Sequence, residues 1–204
     1  MLALAPLLAD LPFRGDRNYL HSTDLYPALT VFAQRQFSPD AFIESLTIRQ
    51  AASHQVRISL DGPQGAFGSF RVRYGTTCTK GWLIETDKRV SSRIPFDEAT
   101  AMQAAVNGPG FALYQKLLPQ YSVFELMLIL TKIVSSQESQ EHWWLCRIEF
   151  HSRLREVVPL ECRLHRKVLQ RYITLQIYQD RQIIGFVTAI SGAVPDLSVK
   201  EGHS

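Results

Sequence analysis

Between Asp16 and Asp24 the chain packs two carboxylates, a carboxamide, a phenol and an imidazole into nine residues: Asp16, Asn18, Tyr19, His21 and Asp24. A carboxylate in such company can act as a general base or a nucleophile, and an imidazole can accept or deliver a proton. The cluster also sits where a helix begins, and a helix start offers unpaired N–H groups and positive potential that polarise a carbonyl. Far along the chain, Glu125 stands alone in the apolar stretch VFELMLIL. A lone carboxylate in such a place is costly to bury unless something pairs with it or uses it.

Each of these residues also has a plain structural reading. Asp24 can charge the first helical turn, His21 can satisfy a loop carbonyl, and Glu125 can pair with an arginine such as Arg147 or Arg49. Ser22 or Thr23 can cap the helix, and Pro27 is tolerated if it stays near the first turn. The basic run of the second half (Arg147, Arg153, Arg155, Arg163, His165, Arg166, Lys167, Arg171) mostly alternates with apolar residues. That pattern reads as a solvated sheet face, or else as a contact for phosphate or for an acidic protein.

The elements that must position these groups follow from periodicity. Leu25, Leu29, Phe32 and Ala33 form a helical stripe widened by Ala28 and Val31, which predicts a helix wrapped by other structure. Alternation then predicts strands at 42–50, 54–60, 67–74 and 79–86. A polar segment and a short helix capped by Asp97 follow, closed by Asn107-Gly108-Pro109-Gly110. The pattern then recurs. A strongly apolar helix at 121–134 precedes strands at 143–150, 157–165, 171–178 and 183–190, with about fifty residues from helix to final hairpin in both halves. Two helices that need cover, each followed by four antiparallel strands, fit a single curved sheet formed by two units edge to edge.

Composition narrows the setting. With 204 residues, 46% of them hydrophobic, a net charge of +3 and no run long enough for a membrane span, the chain reads as an ordinary globular protein in the cytoplasm. The mild charge speaks against nucleic acid. The apolar opening MLALAPLLADLPF lacks a basic start and is broken by Pro6, Asp10 and Pro12, unlike a signal peptide. Cys78, Cys146 and Cys162 lie in strand-like segments and read as buried reduced thiols. No metal-ligand spacing, phosphate loop or serine elbow is present, so neither metal nor cofactor is expected.

This arrangement resembles the hot-dog fold superfamily, in an α+β double hot-dog form where one chain carries both halves of the usual dimer. The resemblance implies a first half at 1–90, a connecting segment at 91–110, a second half at 111–190 and a tail at 191–204. It implies a monomeric pseudo-dimer or a homodimer acting on acyl-CoA or an acyl carrier protein. The first helix looks like the 4-hydroxybenzoyl-CoA-type thioesterase signature: Asp16 precedes the helix-borne Tyr26 by ten positions, with Tyr19-Leu20 and Ser22-Thr23 in place of the usual Gly-His and Asn-Asn. This implies Asp16 as nucleophile or base, with Asn18, Tyr19, Asp24 and Tyr26 around the substrate. The second helix resembles β-hydroxyacyl-ACP dehydratases, with Glu125 at the acidic position. The histidine those enzymes carry fourteen positions upstream corresponds to Phe111 here, so a dehydratase needs His21 to reach across from the first half. The expectation is thus a thioesterase, with a dehydratase-like enzyme and a non-catalytic acyl- or partner-binding protein as the alternatives.

Overall fold

The structure is a computed structural model that describes residues 7–62, 64–139, 142–169 and 171–192. Strands β1 (Leu7–Ala9) and β2 (Phe13–Arg14) lead into helix α1 (Ser22–Gln36). Then come β3 (Phe42–Ile48), β4 (His54–Ser59), β5 (Ala66–Tyr74) and β6 (Thr77–Arg89). The middle of the chain forms β7 (Arg93–Ile94), α2 (Glu98–Ala104), β8 (Val106–Gly108) and β9 (Phe111–Tyr114). Helix α3 (Val123–Glu138) precedes β10 (Trp143–Phe150), β11 (Leu160–Val168), β12 (Tyr172–Gln179) and β13 (Gln182–Ser191).

Eleven strands form one sheet in the order β1-β4-β6-β5-β3-β10-β13-β12-β11-β9-β8, with every neighbouring pair antiparallel. The two expected quartets are contiguous and meet at β3–β10, where Thr47, Leu46 and Ser45 face Arg147, Ile148 and Glu149. Each flank is extended by short strands that the sequence did not announce. β1 comes from the Pro-interrupted opening. β8 and β9 pair in a hairpin that turns at Gly108-Pro109-Gly110; these residues do not end α2, which stops at Ala104 with Ala105 as its C-cap, before β8 begins. These edge strands have only three residues each, which limits the unpaired backbone they present. Two close approaches require glycine: a Cβ on Gly81 would strike the Phe70 ring, and one on Gly185 would strike the Glu149 carbonyl.

Both long helices pack against the sheet and each other. Tyr26 of α1 stacks on Phe124 of α3 with centroids 3.9 Å apart, and Phe32 meets Phe70 of β5 edge-on at 5.9 Å. A single apolar cluster includes residues of both halves. α3 is enclosed on nearly all sides, as its sequence suggests, and continues to Glu138, past the end expected at Val134. α1 is not wrapped: Val31 is 42% exposed and Pro27 is exposed, so its buried stripe is one-sided. Pro27 lies in the second turn rather than the first.

The cysteines are free, and only Cys162 is fully buried; Cys78 and Cys146 are half-buried. The basic residues of the second half are exposed, Arg147 pairing with Glu149 on its own strand at 2.7 Å. No helix among the described residues is long and apolar enough to cross a membrane. The expected tail at 191–204 lies, beyond Gly192, outside the described residues.

Candidate functional site

The polar run before α1 is held by a short parallel pairing that folds the middle of the chain back over it. β2 pairs with β7, and Gly15 N–H donates to the Ile94 carbonyl at 3.0 Å. Gly15 takes φ +55°, a left-handed turn that suits glycine, and separates Arg14 from Arg17. Leu20 N–H then bonds the Ala52 carbonyl at 2.7 Å, anchoring the chain just before the helix.

His21, not Ser22 or Thr23, is the N-cap of α1. Its Nδ1 accepts from Thr23 N–H at 3.4 Å, and Asp24 Oδ2 accepts from His21 N–H at 2.8 Å, completing a capping box. α3 repeats the device. Ser122 is its N-cap, Glu125 N–H donates to Ser122 Oγ at 3.2 Å, and Glu125 Oε2 accepts from Ser122 N–H at 2.6 Å. The expected partners of Glu125 were Arg147 or Arg49, but Arg14 takes that place. Its Nε donates to Asp24 Oδ1 at 2.6 Å and its Nη1 donates to Glu125 Oε1. One guanidinium therefore joins the two capping carboxylates, and with them the starts of both long helices.

Beside this clamp lies a cavity of about 280 Å³. Its walls come from the start of α1 (His21, Ser22, Thr23), one face of α3 (Glu125, Leu128, Ile129, Lys132) and the start of β10 (Trp143, Trp144, Leu145). Ile48 and Ala189 add apolar surface, while Arg17, Tyr19, Phe96 and Glu98 close it from the polar run and the middle of the chain.

The candidate residues separate clearly in space. His21 and Glu125, from opposite halves, line the cavity together, and Tyr19 joins them with its ring 6.4 Å from His21 and 5.6 Å from Trp144. Asp16 and Asn18 are exposed and lie outside the lining, although their neighbours Arg17 and Tyr19 belong to it. Asp24 is buried against Arg14, and Tyr26 sits in the helix–helix core between Phe124 and Phe150; neither lines the cavity. Arg14, Arg17, Lys132 and the tryptophan pair received no such role from the sequence. The only hint was that Arg17 lies within the polar run with His21 and Arg14 just before it, while nothing in the spacing ties Arg14 to a glutamate 111 residues away.

Burial sets the electrostatics. Enclosure of the His21 ring, then the charges of Arg17, Lys132 and Arg14, pull its pKa from 6.5 down to about 3, so the imidazole is neutral across the physiological range. Burial pushes the Asp24 carboxyl up, against the pull of the hydrogen bonds from His21 and Arg14. Burial also raises the Tyr19 phenol. Among the described residues no three His, Cys, Asp or Glu side chains gather as metal ligands would.

The architecture is α+β, one large antiparallel sheet with three helices among the described residues, consistent with the hot-dog fold. No protein-family model matches the sequence, and no curated protein matches it. Solved structures similar to the chain include the dehydratase domain of PpsC from Mycobacterium tuberculosis in complex with C12:1-CoA. It shares 14% identity over 94% of this chain and 90% of that one, with a TM-score of 0.49. A protein assigned as a thioesterase II from Thermobifida fusca YX shares 10% identity over 87% and 88%, with a TM-score of 0.47. The erythromycin dehydratase shares 10% over 86% and 82%, with a TM-score of 0.45. At such identities the site has to be read on its own geometry.

Proposed function

We propose that the chain is a double hot-dog protein, with halves at 1–90 and 111–190, that holds an acyl thioester in the cavity between them without turning it over. One observation carries this reading: the acid and imidazole groups at the cavity are already committed to the helix ends. Glu125 has Ser122 on one oxygen and Arg14 on the other, so both of its oxygens already serve the two helix starts. His21 spends Nδ1 on the cap, and its low pKa makes it a weak base. Asp16, the nucleophile of the thioesterase reading, is exposed and outside the cavity lining. The apolar surface of Ile48, Leu128 and Ile129 suits an alkyl chain, and the polar rim at the start of α1 suits a thioester head.

A dehydratase-like enzyme is the second reading, and a specific observation favours it: His21 and Glu125 reach one cavity from opposite halves. A panel of acyl-CoAs separates the readings. Tryptophan fluorescence should report binding, with neither thiol release nor hydration of a crotonyl thioester, and Asp16→Ala should change nothing. Thiol release lost in Asp16→Ala would establish the thioesterase instead. Crotonyl hydration lost in Glu125→Gln or His21→Ala would establish the dehydratase, and no binding by any acyl-CoA would remove the proposal altogether.

A further inference from the structure

The two ring nitrogens of His21 are differently placed. Nδ1 meets only groups able to donate to it: Thr23 N–H at 3.4 Å, Thr23 Oγ1 at 3.3 Å and Ser22 Oγ at 3.4 Å. As the capping acceptor, Nδ1 has no room for a proton, so the neutral ring carries its proton on Nε2. The helix start therefore fixes the tautomer. Neutrality has its own cause: the ring is enclosed, and a second proton would add a charge beside those of Arg17, Lys132, Arg14 and His142.

Nε2 has no hydrogen-bond partner among the described residues. The carboxylates of the cavity wall are engaged elsewhere, Glu125 with Ser122 and Arg14, and Glu98 with Lys132 at 2.6 Å. Nε2 also differs from the unpartnered nitrogens of Arg17, Trp143 and Trp144, which are sealed from solvent, because it keeps accessible surface. Since the ring is enclosed and His21 belongs to the wall, that surface opens on the cavity.

We infer that His21 is a fixed hydrogen-bond donor of the cavity, its Nε2–H meeting the carbonyl oxygen of a bound acyl thioester while the alkyl chain lies against Ile48, Leu128 and Ile129. A neutral N–H suits a neutral carbonyl. Left without an acceptor in an enclosed wall it is costly, so a ligand lacking that oxygen is penalised. The same tautomer denies the cavity a basic nitrogen, which removal of an α-proton would need. The ring thus holds the thioester and takes no proton from it.

This inference rests on the acyl-binding reading above, and its test separates the two. Calorimetric titration of the full chain compares octanoyl-CoA with S-octyl-CoA, a thioether that keeps the chain and the coenzyme but lacks the carbonyl oxygen. Octanoyl-CoA should bind about tenfold tighter, because the thioether leaves Nε2–H unpaired. His21→Ser keeps a capping oxygen and removes the donor, so the preference should vanish. Nitrogen NMR of the labelled, ligand-free chain should find the ring proton on Nε2. Equal binding of the two compounds overturns the inference and leaves the acyl-binding reading in place. A ring proton found on Nδ1 overturns it as well, and so does a preference that survives in His21→Ser. Binding by neither compound removes the reading and the inference together. The two wild-type measurements decide the matter even where His21→Ser does not fold.

Discussion

His21 closes the first turn of α1 and also forms part of the cavity wall. Its folded pKa lies near 3 against an ordinary 6.5, so below pH 6.5 the unfolded chain takes up a proton that the folded chain refuses. The stability contributed by the neutral ring is therefore complete above pH 6.5 and drains away as the pH falls toward 3, by at most about 1.4 kcal/mol per pH unit. Asp24, raised by burial, acts in the opposite sense, its contribution being present in acid and lost as pH rises through its folded pKa. His21→Asn keeps a capping acceptor and removes only the imidazole titration. Urea midpoints across this window should show the variant gaining on the wild type as the pH falls, and a pH-independent difference would refute the assignment. The sequence placed His21 correctly beside a helix start. It put the cap one or two residues too late, because Ser and Thr are the more usual caps and only the fixed backbone shows which residue leaves the helix.

Arg14 makes two elements dependent on each other. The starts of α1 and α3 each hold a capping carboxylate, and the side chains of Asp24 and Glu125 are 0% and 9% exposed. Removing their shared partner leaves two buried charges unmatched, so Arg14→Met should destabilise the fold by about 3–5 kcal/mol in urea unfolding. Adding Asp24→Asn and Glu125→Gln should recover part of that loss, because the stranded charges go with it. A loss in Arg14→Met within the range of an exposed ion pair, below about 1 kcal/mol, would mean that water already relieves both carboxylates. Helix periodicity and strand alternation were enough to locate α1, α3 and the two strand quartets. The ion pair was not, since both Arg147 and Arg49 are nearer Glu125 in sequence and the choice among arginines depends on which sheet face each one occupies.

Across the whole molecule, the seam between β3 and β10 carries the sheet from one half to the other, and the apolar cluster spans it. Neither half can leave without exposing the stacked Tyr26–Phe124 pair and its surroundings. Unfolding in urea should therefore be a single transition, with circular dichroism and the fluorescence of Trp82, Trp143 and Trp144 superimposing. Two resolved transitions would mean that the halves are independent folding units.

What the amino-acid order determined alone was the succession of elements, because apolar periodicity is a local property that survives without knowledge of the partner surface. The repeat of a helix and four strands was legible for the same reason. Tertiary structure decided which polar groups meet. It turned Asp16 and Asn18 to solvent, buried Asp24 and Tyr26 away from the cavity, and brought His21 to Glu125 beside Arg17 and the tryptophan pair. Those meetings depend on strand register, on the turn at Gly15 and on the pairing of β2 with β7, and such long-range geometry has no counterpart in the spacing of residues along the chain.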